Sequence, residues 1–203
     1  MRIMDRDNVE LKFHEWTDGL NSIAQRISVF EHIRDIPYAL ITSLYDPEKA
    51  LSGLIDGNAG SCTPKHFLLG DMFQRLGLKV RYITSTFIWD SPAVDYSPEM
   101  RELSKKLPPE YHLSCLVLID EKWVLVDATW DIPLEKGGLP VNHTWDGFSE
   151  TKNAVTPLEM IEHLSIAERN DFTLMMRGAW SNEILELRDH FFGLFNEWVG
   201  SMR

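Results

Sequence analysis

The chain has 203 residues, 44% of them apolar and 11% aromatic, and carries a formal charge of −11. That is enough apolar material for one hydrophobic core without disulfide or metal staples, and it fits a single domain spanning residues 1–203. The acidic balance offers no basic face for phosphate groups, so neither nucleic acid nor an anionic membrane surface is expected as a partner.

In chain order, the first segment is helical. Leu11, Phe13, Trp16, Leu20, Ile23, Ile27, Phe30 and Ile33 recur near helical period from Val9 to about Ile33, and Pro37 ends the run. A second helical piece from about Tyr38 to Leu54 is broken at Asp46-Pro47, which completes a helical flank over residues 7–50. Asp56-Gly57-Asn58-Ala59-Gly60-Ser61 is a tight loop of residues that tolerate unusual backbone angles. A helix from about Pro64 to Leu76 follows, with Ser61 or Thr63 as cap, Pro64 in its first turn and Gly77 as its stop. Leu68, Leu69, Met72, Phe73 and Leu76 form its apolar stripe. Gly70 inside it costs up to about 1 kcal/mol, which a close packing contact would explain.

Strand chemistry begins at Lys79 and runs to Ile88. The segment from Trp89 to Glu110 holds four prolines, with a short helix around Glu99–Lys106; a loop of this length suits either a lid or a surface excursion. Tyr111–Ile119 and Trp123–Thr129 flank Asp120-Glu121-Lys122 as a β-hairpin. Gly137-Gly138, Pro140 and Asn142 mark an irregular return. Residues 154–200 read as a second helical flank, with helices at about Pro157–Ala167 and Asn182–Val199. The last of these carries more apolar residues than one stripe needs, enough for core packing and a dimer contact.

Two cysteines, Cys62 and Cys115, are too few for a disulfide framework. The seven histidines lack paired ligand spacing, so no metal and no cofactor is expected. The N-terminus has no apolar stretch of signal-peptide type, and no run approaches the roughly 18 apolar residues that cross a bilayer. The expected setting is a reducing cytoplasm.

Cys62 stands just before a capped helix, where partial positive charge and free N–H groups favour a thiolate and can hold an oxyanion. A lone cysteine is equally read as a small buried hydrophobe. His112 opens an apolar strand, and Asp127 ends the apolar run Trp123-Val124-Leu125-Val126. With the turn centred on Glu121, Asp127 falls opposite Cys115 or Leu116, and His112 opposite Trp130 or Asp131. Ladder pairing alone therefore does not join His112 to Asp127, yet a half-buried carboxylate needs a partner.

Three pieces in order resemble the transglutaminase-like superfamily of papain-like cysteine enzymes. They are Gly60-Ser61-Cys62 at a helix start, Gly77-Leu78-Lys79-Val80-Arg81 at a strand entry, and His112 followed by Trp123-Val124-Leu125-Val126-Asp127. The resemblance covers about residues 50–131. It implies an α+β papain-like fold, with a nucleophile helix on an antiparallel sheet and helical extensions at both ends. It also implies a triad of Cys62 as nucleophile, His112 as general base and acid, and Asp127 as orienting group. The substrate would be a peptide, protein or small amide, attacked at its carbonyl through a thioester. Asn58 is a candidate oxyanion donor or a turn former; Trp130 is a wall of the site or packing. Lys65 and His66 are helix-surface residues or neighbours of the thiol. A catalytically silent peptide-binding module is the second reading. An arylamine acetyltransferase-like enzyme is the third, ranked last because Asn58-Ala59-Gly60-Ser61-Cys62 lacks that family's Arg-Gly-Gly-x-Cys signature.

Overall fold

The computed structural model describes residues 2–203, with side chains from residue 8 onward. The first apolar run divides into two helices, α1 (Arg2–Thr17) and α2 (Ser22–Asp35). The break sits at Gly19, whose φ of 77° is left-handed and free of cost for glycine. The Asn21 side chain then caps α2, accepting from the N–H groups of Ile23 and Ala24. Apolar spacing carries across this turn, so periodicity alone joins the two helices.

Tyr38–Leu54 is not one interrupted helix. Residues 37–41 run without helix, Thr42–Tyr45 form a 3-10 turn, and α3 (Pro47–Gly57) starts behind its Asp46 cap. The next helix, α4 (Cys62–Arg75), begins at Cys62 itself. It closes as expected at Gly77 (φ 80°), where the Leu78 N–H donates to the Phe73 carbonyl and the Gly77 N–H to the Gln74 carbonyl. Residues 62–70 are buried on every side, which makes α4 a central helix rather than a half-exposed one. Lys65 and His66 therefore are not surface residues. Gly70 is a contact glycine: a Cβ there would lie 2.3 Å from the Tyr82 hydroxyl.

Four strands, β1 (Val80–Phe87), β2 (Glu110–Ile119), β3 (Lys122–Val126) and β4 (Glu159–His163), form an antiparallel sheet in the order β3-β2-β1-β4. The β2–β3 turn contains only two residues, Asp120 (φ 46°) and Glu121 (φ 64°), the left-handed pair of a type I′ turn. Cys115 thus faces Val126, a tighter register than the sequence suggests, and Asp127 lies just beyond the ladder.

The β4 strand falls where the sequence predicts a helix from Pro157. Glu159-Met160-Ile161-Glu162-His163 has little β-branched content, but it satisfies the open edge of β1, pairing Glu159 with Thr86 and His163 with Tyr82. Helix returns only at α6 (Ile166–Arg177), capped by Ser165, and α7 (Asn182–Gly200), capped by Ser181.

The fold is α+β, with α4 laid across β2 and β1 of the four-stranded sheet. One core, including Phe30, Ile33, Leu68, Phe73, Leu113 and Val126, fills the space between α2, α4 and the sheet. A second core gathers the 88–109 segment with its short helix α5 (Pro98–Ser104), residues after β3, and α7. Trp89, Tyr96, Trp130, Phe191 and Phe195 meet there, so the proline-rich segment is packed down rather than free as a lid. The apolar surplus of α7 is spent in this core, where Phe191, Phe192, Phe195 and Val199 are buried.

Candidate active site

The crossing of α4 over β2 brings the first residue of the helix against the head of the strand. Cys62 and His112 line the same small cavity, and the His112 Nε2 is 2.7 Å from the Asp127 Oδ2. With Nε2 taken by the carboxylate, Nδ1 is the ring nitrogen left for the thiol. Asp127 reaches His112 because the chain leaves the ladder after Val126. Its Oδ1 accepts from the Thr129 N–H (3.1 Å) and hydroxyl (2.6 Å), and its Oδ2 also accepts from the Ala154 N–H (2.8 Å). All three groups are buried; Cys62, at 9%, is the most exposed.

Their electrostatics follow from these contacts. Burial alone would push the Cys62 thiol up, but the hydrogen bond and charge of His112, the Leu113 N–H and Arg169 outweigh it, and its pKa lies below the ordinary value. Burial likewise disfavours a charged His112, yet the charge and hydrogen bond of Asp127, with help from Cys62, raise it to about 10. For Asp127, burial is overcome by His112, His66 and Thr129, which hold the carboxyl well below the usual range. The arrangement can hold a thiolate, an imidazolium and a carboxylate in line. Cys115 is different: burial pushes its thiol well up, and it donates to the His66 carbonyl at 3.4 Å.

His66 and Lys65 brace this array from within α4. The His66 Nδ1–H donates to the Cys62 carbonyl (2.8 Å), while Nε2 accepts from the Ala128 N–H (3.1 Å), an assignment that fixes the neutral tautomer. Burial, opposed mainly by Asp127, lowers its pKa to about 4. The Lys65 ammonium donates to the carbonyls of Arg34, Ile36 and Thr129 at 2.7–2.9 Å, and burial lowers it to about 7. Asn58 does not join the site. It is the exposed left-handed cap of α3 (φ 45°) and lines a separate surface hollow with Lys12, Glu15 and His32. Its backbone role as a turn former accounts for it. Trp130 does line the site, 4.4 Å from the Tyr38 ring, and also donates to the Ala154 carbonyl.

A tight cavity opens at Cys62 between Tyr38, Trp89, Glu110, His112, Trp130 and Arg177. The enclosed space is small, with room for about one water molecule. Glu110, Arg169, Arg177 and Arg188, which gather beside it, are the residues that sequence reasoning missed. A signal existed for part of the set: Arg169, Thr173 and Arg177 recur every four residues, on one face of α6. Among the described residues, no group of three His, Cys, Asp or Glu side chains is placed to hold a metal ion, and no helix is long and apolar enough to cross a membrane.

No family model matches the chain, and no curated protein matches it. Among solved structures, one likeness is to a proposed cysteine protease from Cytophaga hutchinsonii, at 17% identity and a TM-score of 0.40. The match covers 64% of this chain and 39% of that one, so this chain spans well under two thirds of its length.

Proposed function

We propose that this protein is a cysteine-dependent hydrolase or acyltransferase of the transglutaminase-like kind, acting on amide or peptide carbonyls. The observation that carries the reading is the placement of His112 between the Cys62 thiol and the Asp127 carboxylate. In this scheme the Cys62 thiolate attacks the carbonyl carbon. The oxygen takes up negative charge near the free N–H groups at the start of α4. The His112 imidazolium protonates the departing amine, the C–N bond breaks, and a thioester remains on Cys62. His112, now neutral, takes a proton from water or an acceptor amine as that nucleophile attacks. The acid or new amide leaves and the thiolate returns. Asp127 holds the ring orientation and balances its charge throughout.

A catalytically silent binding module is the second reading, favoured by the narrowness of the cavity and the low exposure of Cys62. The pH dependence of iodoacetamide labelling, read by mass spectrometry, separates the two. In the enzyme reading, Cys62 is alkylated rapidly well below pH 8, Cys115 is not, and His112→Ala removes the difference. Labelling of Cys62 no faster than a free thiol would move the balance to the binding module.

A further inference from the structure

Beside the nucleophile the charge balance of the chain is locally reversed. Glu110, at the start of β2, is 3% exposed; it accepts from the Arg177 Nη2 at 3.0 Å and from the Arg188 Nε. Arg169 is 1% exposed, and its Nη2 donates at 3.2 Å to the hydroxyl of Thr63, the residue after Cys62. Two guanidinium groups thus close on one buried carboxylate, and a third lies beside the first turn of α4. The exposed Asp189, 3.8 Å from the Arg188 Nη1, is a further acid at their edge.

The hydrogen bonds of this cluster are not closed. The Arg169 Nε, Arg177 Nε and Arg188 Nη2 are buried without an acceptor, as is the indole N–H of Trp89 in the cavity wall. Buried guanidinium N–H groups without acceptors are costly, and buried cations in excess of anions more so. Of these, Arg177 and Trp89 line the cavity, and one anionic, flat, multiply accepting group there would take up their free N–H groups and offset the excess charge of the neighbouring arginines. A carboxylate has that charge and shape and forks onto a guanidinium.

We propose that the cavity beside Cys62 is a carboxylate pocket, in which Arg177, backed by Arg169 and Arg188, receives an acidic group of the acyl donor close to the carbonyl that Cys62 attacks. The assignment rests on the proposed cysteine chemistry, and it makes the enzyme selective for acidic substrates.

Labelling with an anionic and a neutral reagent of nearly equal size tests it. The rate ratio of iodoacetate to iodoacetamide at Cys62 is expected to exceed that of a small free thiol by about tenfold, the scale of one charge-assisted hydrogen bond. The His112 imidazolium also attracts an anion, so the deciding result is the dependence on Arg177. The ratio should collapse in Arg177→Gln and persist in part in Arg177→Lys. On the unsubstituted protein, glutarate should slow iodoacetamide labelling of Cys62 and raise the Tm, while glutaramide does neither. A fast-reacting Cys62 whose ratio ignores Arg177, with no effect of glutarate, overturns the pocket and leaves the cysteine chemistry standing. A slow Cys62 overturns the chemistry, and the glutarate shift in Tm still decides the pocket.

Discussion

Two buried polar clusters flank Cys62, one behind His112 and one beside the cavity, and they differ in how completely their hydrogen bonds are closed. Behind His112, the Asp127 carboxylate takes four donors, Lys65 gives all three of its protons to carbonyls, and His66 uses both ring nitrogens. Beside the cavity, each of Arg169, Arg177 and Arg188 holds back a buried N–H. A closed network has one arrangement and positions what it touches. An open one keeps capacity for a ligand, at a cost in the free protein. The protein thus has a rigid frame on one side of the thiol and a receptive face on the other.

The strongest way to break this contrast is Asp127→Asn. It leaves the imidazolium without its counter-charge and a buried network without its main acceptor, so a loss of about 3 kcal/mol or more is expected in urea denaturation. Labelling of Cys62 at pH 6 should slow at least tenfold in the same variant. A native-like stability would mean that the cluster is no frame.

Glu110→Gln probes the other side. It removes the one fully buried carboxylate shared by Arg177 and Arg188, and a loss of about 2 kcal/mol is expected, smaller than at Asp127. Glutarate should restore part of the lost Tm here and none in Asp127→Asn. Equal behaviour of the two variants toward glutarate would erase the distinction between frame and pocket.

The smallest effect is one of pH. Lys65 is held at about 7, against an ordinary 10.5, so between those values the unfolded chain keeps a proton that the native one sheds, and stability rises with pH. His112 is raised to about 10 from 6.5, so over that range the native state holds the extra proton and stability falls with pH. From pH 7 to 9 His112 is opposed both by Lys65 and by Cys62, whose thiol is held below its ordinary value, so the stability of the unsubstituted protein should rise. Lys65→Met removes one of the two rising contributions. Its profile, read from urea midpoints, should rise less steeply than that of the unsubstituted protein, by at most about 1.4 kcal/mol per pH unit. Equal slopes in the two proteins would show that Lys65 sheds no proton on folding.

Much of the frame is legible in the sequence because its signals are local. Ser61-Cys62-Thr63-Pro64 marks a helix start, Gly77 its end, and the run from Trp123 a strand that terminates in an acid. The His112–Asp127 contact is less so, since Asp127 sits past the last ladder pair and meets His112 only through the turn that the chain makes there. Lys65 and His66 look like surface residues until α4 is seen to be wrapped on all sides. The arginines were hidden for the opposite reason: they belong to amphipathic helices whose polar positions usually face water. Only the docking of α6 and α7 against the head of β2 turns them inward. The β4 strand was illegible because its place is set by the unpaired edge of β1, not by its own residues.

The Asp120–Glu121 turn has a reach that its position conceals. Its two left-handed residues set which rung of the hairpin is last, and so the point at which the chain releases Asp127 toward His112. A slip of one residue would turn every side chain of β3 to the opposite face and carry the carboxylate with it. The tip therefore works as a ruler. Its composition is free to drift toward any pair that accepts positive φ, while its length is held by an atom at the other end of the strand.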